Sequence, residues 1–93
     1  MRLVWLARAV KDRADQLGYV ALTSPRNALD LGDRIAEHIP KLKAYPDMGR
    51  TGRVRGTREL VINHTPFILV YRVKAREGRL EILRLLHGAQ KYP

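Results

Sequence analysis

The spacing of hydrophobic residues along this chain changes in the middle, and the change separates a helical first half from a β-rich second half. Leu3, Val4, Trp5 and Leu6 form a short apolar run that predicts a strand over 2–6, with Trp5 in the core or at a sheet edge. From 7 to 22 the positions Ala7, Val10, Ala14, Leu17 and Ala21 recur at intervals of three and four, which makes one apolar helix face. Arg8, Lys11, Asp12 and Asp15 then fall on the other faces. Thr23-Ser24-Pro25 is a start signal, because a serine hydroxyl can accept from the first turn and proline is tolerated at the first helical position. Ala28, Leu31, Ile35 and Ile39 mark a second helix over about 25–39, and Leu42 would continue the same period. Pro40 lacks a backbone donor and crowds the preceding turn, so the helix is expected to end or kink near Ile39. His38 would then face solvent near a helix C-terminus, where positive charge is favoured.

The second half reads as apolar, β-rich segments punctuated by turn residues. Tyr45-Pro46-Asp47-Met48-Gly49 hands the chain from helix to sheet, residues 50–55 form a strand or an extended arm, and Gly56-Thr57 turns it. Strands are expected over 58–64, 67–73 and 79–87, joined at Thr65-Pro66 and at Ala75-Arg76-Glu77-Gly78. Residues 67–73 are apolar on both faces and should be central. The fold class is therefore α+β: one small domain over 1–93, with an N-terminal strand and an antiparallel helical hairpin packed on a 3–4-stranded antiparallel sheet. The helices cover one sheet face and leave the other for a partner.

Charge sharpens this picture. The chain carries a net charge of +9, but residues 1–40 hold six Lys/Arg against five Asp/Glu, whereas residues 41–93 hold twelve against four. An excess confined to the sheet half points to an anionic partner on one surface. Thirteen of the eighteen basic residues are arginine, whose planar fork of donors suits phosphate and carboxylate. There is no cysteine, so neither a disulfide framework nor a cysteine zinc site is possible, and no metal or other cofactor is expected. No apolar run reaches the roughly 20 residues needed to span a bilayer, so a cytoplasmic location is expected.

The candidate chemistry sits in the stretch from Tyr45 to Val73. Arg50, Arg53, Arg55 and Arg58 fall within nine positions, interleaved with Gly49, Gly52 and Gly56. Glycine permits tight bends and close backbone approach. Arg50, Arg53, Arg55 and Arg72 are the expected phosphate-binding or nucleic-acid-binding residues. Tyr71 and Tyr92 are aromatics that could stack on bases, with packing the simpler role for Tyr71. Glu59 either pairs with a cross-strand arginine or supplies an acid or base, and His64 either supplies that group or is a residue of the Thr65-Pro66 turn.

Four ordered blocks carry a resemblance to a known family: Tyr45-Pro46-x-Met48-Gly49-Arg50-x-Gly52-Arg53, Gly56-Thr57-Arg58-Glu59-Leu60-Val61, Leu69-Val70-Tyr71-Arg72-Val73, and Ile82-Leu83-Arg84-Leu85-Leu86-His87-Gly88-Ala89-Gln90. Over nearly its whole length the chain resembles the RelE/ParE superfamily of toxins from type II toxin–antitoxin modules. The resemblance implies a growth-arresting toxin neutralised by a cognate antitoxin protein. It also implies two targets: RelE-like members cleave mRNA on the ribosome, and ParE-like members inhibit DNA gyrase without nuclease activity. The first is the leading expectation, a metal-independent, ribosome-dependent mRNA endoribonuclease; the gyrase inhibitor is the alternative, and an inactive antitoxin-binding relative is a third. Cleavage through the 2′-hydroxyl requires a base, an acid and cations at the phosphorane. The resemblance assigns this to Arg58, Arg84 and His87. Arg84 and His87 are an odd number of residues apart, so a bulge or strand end at Leu86–Gly88 would have to bring them to one face.

Overall fold

The computed structural model describes residues 1–88 and 90–93. Ala89, one position of the last block quoted above, lies outside the described residues. Strand β1 (Arg2–Trp5) leads into helices α1 (Ala7–Ala21) and α2 (Pro25–Ala44), and strands β2 (Arg50–Thr51), β3 (Arg58–Val61), β4 (Phe67–Lys74) and β5 (Arg79–His87) follow. The five strands form one sheet in the order β1-β5-β4-β3-β2. The expected sheet of three or four antiparallel strands is thus enlarged. β1 joins its edge beside β5 and runs parallel to it, with Arg2 opposite Arg79 and Trp5 opposite Ile82. β2, β3, β4 and β5 pair antiparallel in succession. The partner of β1 lies at the far end of the chain, so local pattern carries no trace of this pairing.

The helices lie on one face of the sheet. Phe67, Leu69 and Tyr71 of β4, Leu80, Ile82 and Leu85 of β5, and Leu60 of β3 meet Ala9, Ile35 and Leu42 there in the main core. Burial of such side chains contributes about 1.5–3 kcal/mol each. β5 keeps its apolar side inward through a bulge: Tyr71 pairs with Ile82 but Val70 pairs with Arg84, so Leu83 is an extra residue. The bulge lies at Leu83, and 86–88 holds a strand end, at His87. Val70, Leu83 and Leu86 form a second, smaller cluster, against which Leu6 and Tyr92 pack.

Both helices correct the sequence pattern. Ser24 does cap α2, accepting from the Asn27 N–H at 3.2 Å, with Pro25 in the first turn. However, α2 continues through Pro40 to Ala44. A proline in a helix interior costs about 3 kcal/mol. Here both Pro40 and Ala36, whose carbonyl loses its donor, are solvent-exposed, so water can satisfy that carbonyl. Continuation also buries Leu42 completely and retains the bond from the Tyr45 N–H to the Lys41 carbonyl. His38 therefore lies inside the helix, not at its end. It shares the inward face with Ile35 and Leu42 and is only 6% exposed. Its Nδ1 is 2.7 Å from the Arg34 carbonyl, and its Nε2 accepts from the Asn63 N–H at 3.4 Å.

In α1 the inward face is not the predicted one. Ala7, Val10 and Ala14 are exposed, whereas Ala9 and Asp12 are buried and Arg13, Gln16, Leu17 and Val20 are half-buried. The true stripe contains polar residues because the helix crosses an uncapped stretch of sheet edge. β1 pairs with β5 as far as the Leu6 N–H, which donates to the Ile82 carbonyl. Beyond that point Asp12 accepts from the Leu85 N–H at 3.0 Å, and Gln16 donates to the Leu85 carbonyl at 2.8 Å. Two side chains thus satisfy backbone groups that a longer β1 would have paired.

Candidate functional site

The basic segment is held in place from both ends. Gly49 sits where the turn after α2 enters β2, and its N–H donates to the Tyr71 hydroxyl at 2.9 Å. That hydroxyl donates to the Pro46 carbonyl at 2.6 Å. Arg58 Nη1 donates to the Gly49 carbonyl at 2.8 Å, and its other nitrogen lies 3.7 Å from the Asp47 carboxylate. A Cβ at position 49 would come within 2.7 Å of the tyrosine oxygen, so the approach requires glycine. Burial pushes the Tyr71 hydroxyl above its ordinary pKa, and it remains a neutral donor. Downstream, the Gly52 N–H donates to the Thr57 carbonyl at 2.8 Å, and the Thr57 hydroxyl and N–H both donate to the Val54 carbonyl. Gly56 closes this loop at a φ of 83°.

Glu59 connects the two arms. By strand alternation it rises from β3 on the face away from the helices, opposite Arg50 of β2 and Val70 of β4. Arg50 Nη2 donates to one of its oxygens at 3.1 Å and the Arg53 N–H to the other at 3.3 Å. Its partner is therefore Arg50, not Arg72 or Arg84. The C-terminal segment forms the opposite wall. The Gln90 N–H donates to the His87 carbonyl, and the Gln90 side chain accepts from the His87 N–H, both at 2.8 Å. This reciprocal pair turns the chain back at Gly88. An open cleft of about 460 Å³ results, lined by Arg50, Arg53 and Glu59 on one side and by Gln90, Lys91 and Tyr92 on the other. Three cations thus face one carboxylate, and Arg53 and Lys91 form no ion pair among the described residues.

The remaining predicted residues are distributed differently. Arg55 is exposed on the 52–57 loop outside the cleft. Arg72 lies two strands from the N-terminal edge and is 2.7 Å from Glu81, which also binds Arg79. Hydrogen bonds from Arg79 and then Arg72 hold the Glu81 carboxyl below its ordinary range. Arg58 is engaged with the 46–49 turn. Arg84 is paired with Asp12 through two bonds of 2.7 and 3.2 Å, with its side chain 18% exposed. Burial raises the Asp12 carboxyl, but the bonds from Arg84 and the Leu85 N–H outweigh it and leave the pKa below the ordinary 3.8. His87 is opposite Phe67, with the rings edge to face at 6.3 Å, on the helix side of the sheet. Arg58, Arg84 and His87 are therefore not brought together: one holds a turn, one an acid on α1, and one lies at the far end of β5. With the bulge at Leu83, their odd spacing leaves Arg84 and His87 facing opposite sides.

Lys91 and Gln90 are cleft residues that the sequence reading missed. The available signal was Gly88 followed by Tyr92: a turn, then an aromatic able to return to the apolar side chains of β5. His64 has a φ of 62°, as a turn residue, and lies outside the cleft. No group of His, Asp and Glu among the described residues is placed to hold a metal ion. No helix among them is long and apolar enough to cross a membrane.

Fold and cleft together define a small α+β protein with cations on the sheet face that its helices leave open. The family model described as "ParE toxin of type II toxin-antitoxin system, parDE" matches residues 3–92, and the chain belongs to that family. The protein named "Putative toxin Y4kP" from Sinorhizobium fredii is 38% identical over 93 residues, covering 99% of this chain and 93% of that one. Among solved structures, a chain from the chromosomal ParDE toxin–antitoxin system of P. aeruginosa superimposes with a TM-score of 0.81 at 31% identity, covering 94% and 95% of the two chains. The YoeB/ParE toxin from Agrobacterium tumefaciens has a TM-score of 0.61 at 24% identity over 94% and 98%, a likeness of fold alone.

Proposed function

We propose that this ParE-family toxin arrests growth by binding its target, DNA gyrase, and that it does not cut RNA. The observation that carries this reading is the separation of Arg58, Arg84 and His87. A general acid and base must each come within hydrogen-bond reach, about 2.6–3.2 Å, of one reacting phosphodiester. Arg58 is engaged by the 46–49 turn and Arg84 by Asp12, and His87, at the far end of β5, faces the side opposite Arg84. Unpaired cations instead line a cleft that can bind an anionic surface without performing chemistry. The cognate antitoxin, in this reading, neutralises the toxin by placing acidic side chains over Arg50, Arg53 and Lys91. The work of the cleft is electrostatic attraction and guanidinium hydrogen bonding, so no cofactor enters it.

The test is a parallel assay of the purified protein on negative supercoiling by gyrase and on mRNA bound to programmed ribosomes. Loss of supercoiling with intact transcripts is the expected result. Cut transcripts with normal supercoiling would restore the RelE-like reading, and loss of cutting in Arg84→Ala with His87→Ala would then assign Arg84 to the phosphate and His87 as acid or base.

A further inference from the structure

We infer that the cleft is a binding site for single-stranded nucleic acid, holding one or two nucleotides with a base stacked on Tyr92. Three observations combine. Tyr92 both lines the cleft and packs against the cluster of Val70, Leu83 and Leu86, so the ring is supported from behind and available in front. Arg50, Arg53 and Lys91 surround it with cations, and the only carboxylate among the described residues of the site, Glu59, is already satisfied by Arg50 and by the Arg53 N–H. Gly52 and Gly88 put backbone on the cleft wall, Gly52 held there by packing on Thr57 that a Cβ would not allow, so a sugar–phosphate chain meets backbone there. Cations for the backbone plus a supported aromatic face for a base is the arrangement by which unpaired strands are held without sequence readout. A duplex keeps its bases stacked on one another and could use only the cations. An acidic peptide could likewise use only the cations, leaving the tyrosine face idle.

This inference deepens the proposed function and rests on its reading of the cleft as the surface that meets the target: a toxin acting on a DNA-bound enzyme would contact exposed strand as well as protein. The experiment is fluorescence anisotropy of a labelled short oligothymidylate with the full chain at low and physiological salt. A duplex of equal length and polyglutamate of equal charge serve as competitors. Saturable, salt-sensitive binding is expected, with both competitors weaker. Tyr92→Leu keeps the apolar packing on Leu83 and Leu86 but removes the π face, and affinity should fall about tenfold. The double variant Arg53→Ala/Lys91→Ala should fall at least as far, while Lys41→Ala/Lys43→Ala on the exposed last turn of α2 should stay within about twofold. Equal losses in the cleft and control variants, an unchanged affinity in Tyr92→Leu, or polyglutamate competing as well as the oligonucleotide would overturn the inference; the last would assign the cleft to an acidic protein. Gyrase inhibition without oligonucleotide binding would overturn this inference alone. Oligonucleotide binding without gyrase inhibition would overturn the gyrase reading alone.

Discussion

Two arginine clusters in this molecule are built from the same side chain and do opposite things. At the edge of β5, Arg84 meets Asp12 through two hydrogen bonds, the carboxylate also takes the Leu85 N–H, and little of either side chain reaches solvent. Arg8 adds a further bond to the carboxylate at 3.4 Å, and every group has a partner. In the open cleft Arg50, Arg53 and Lys91 face a single carboxylate, and Arg50 is 62% exposed. The first cluster holds the helix layer to the sheet. The second has cations to offer a partner. Surroundings, not residue type, decide which role an arginine takes. A buried pair that loses one member leaves an uncompensated charge, whereas an exposed cation contributes little to stability whether or not it is paired.

That contrast can be broken experimentally. The largest effect is expected for Asp12→Ala, which strands Arg84 and the Leu85 N–H together. Stability should fall by about 3 kcal/mol in denaturant unfolding, lowering Tm by roughly 12 °C or more. A loss as small as that of a surface pair would mean that the edge cluster is not structural. Gly49→Ala comes next, since the added methyl must displace the Tyr71 ring that fixes the 46–49 turn. A loss of about 2 kcal/mol is expected by the same measurement.

Acid should then distinguish the clusters. Asp12 has a lowered pKa in the fold, so its stabilisation is complete above the unfolded value of 3.8 and is lost as pH falls through the lower folded value. The stability gap between the native chain and Asp12→Asn should therefore narrow below pH 3.8. A constant gap across that range would sever the link to ionisation. The smallest effect on stability is expected for Arg53→Ala, within about 0.5 kcal/mol. It should nevertheless weaken growth arrest on induction, and full toxicity would remove Arg53 from the target-facing surface.

Much of the fold was legible in local pattern. The helical hairpin, the Ser24-Pro25 start, the central apolar strand at 67–74 and the turns at Gly56 and Gly78 follow from periodicity and backbone preference. Two polar residues of the helices depart from local pattern: Asp12 is expected on an outer face and His38 at an exposed helix end. Each is inward because a backbone group across the molecule needs a partner. Pro40 predicts an end or a kink because its local cost is real, while the burial of Leu42 that offsets it depends on where the sheet lies.

By itself the sequence determined an α+β chain with a basic second half, a glycine-spaced arginine segment and membership in a toxin superfamily. These depend on composition, on period and on motifs a few residues long. Only the tertiary structure decided which arginines are free. Strand order places Glu59 beside Arg50 and Asp12 beside Arg84, and the bulge at Leu83 sets the faces of Arg84 and His87. The turn at Gly88 returns Lys91 and Tyr92 to complete a cleft begun forty residues earlier. Pairing energies fall off over a few ångströms, so the role of a charged residue depends on neighbours that only the folded chain supplies.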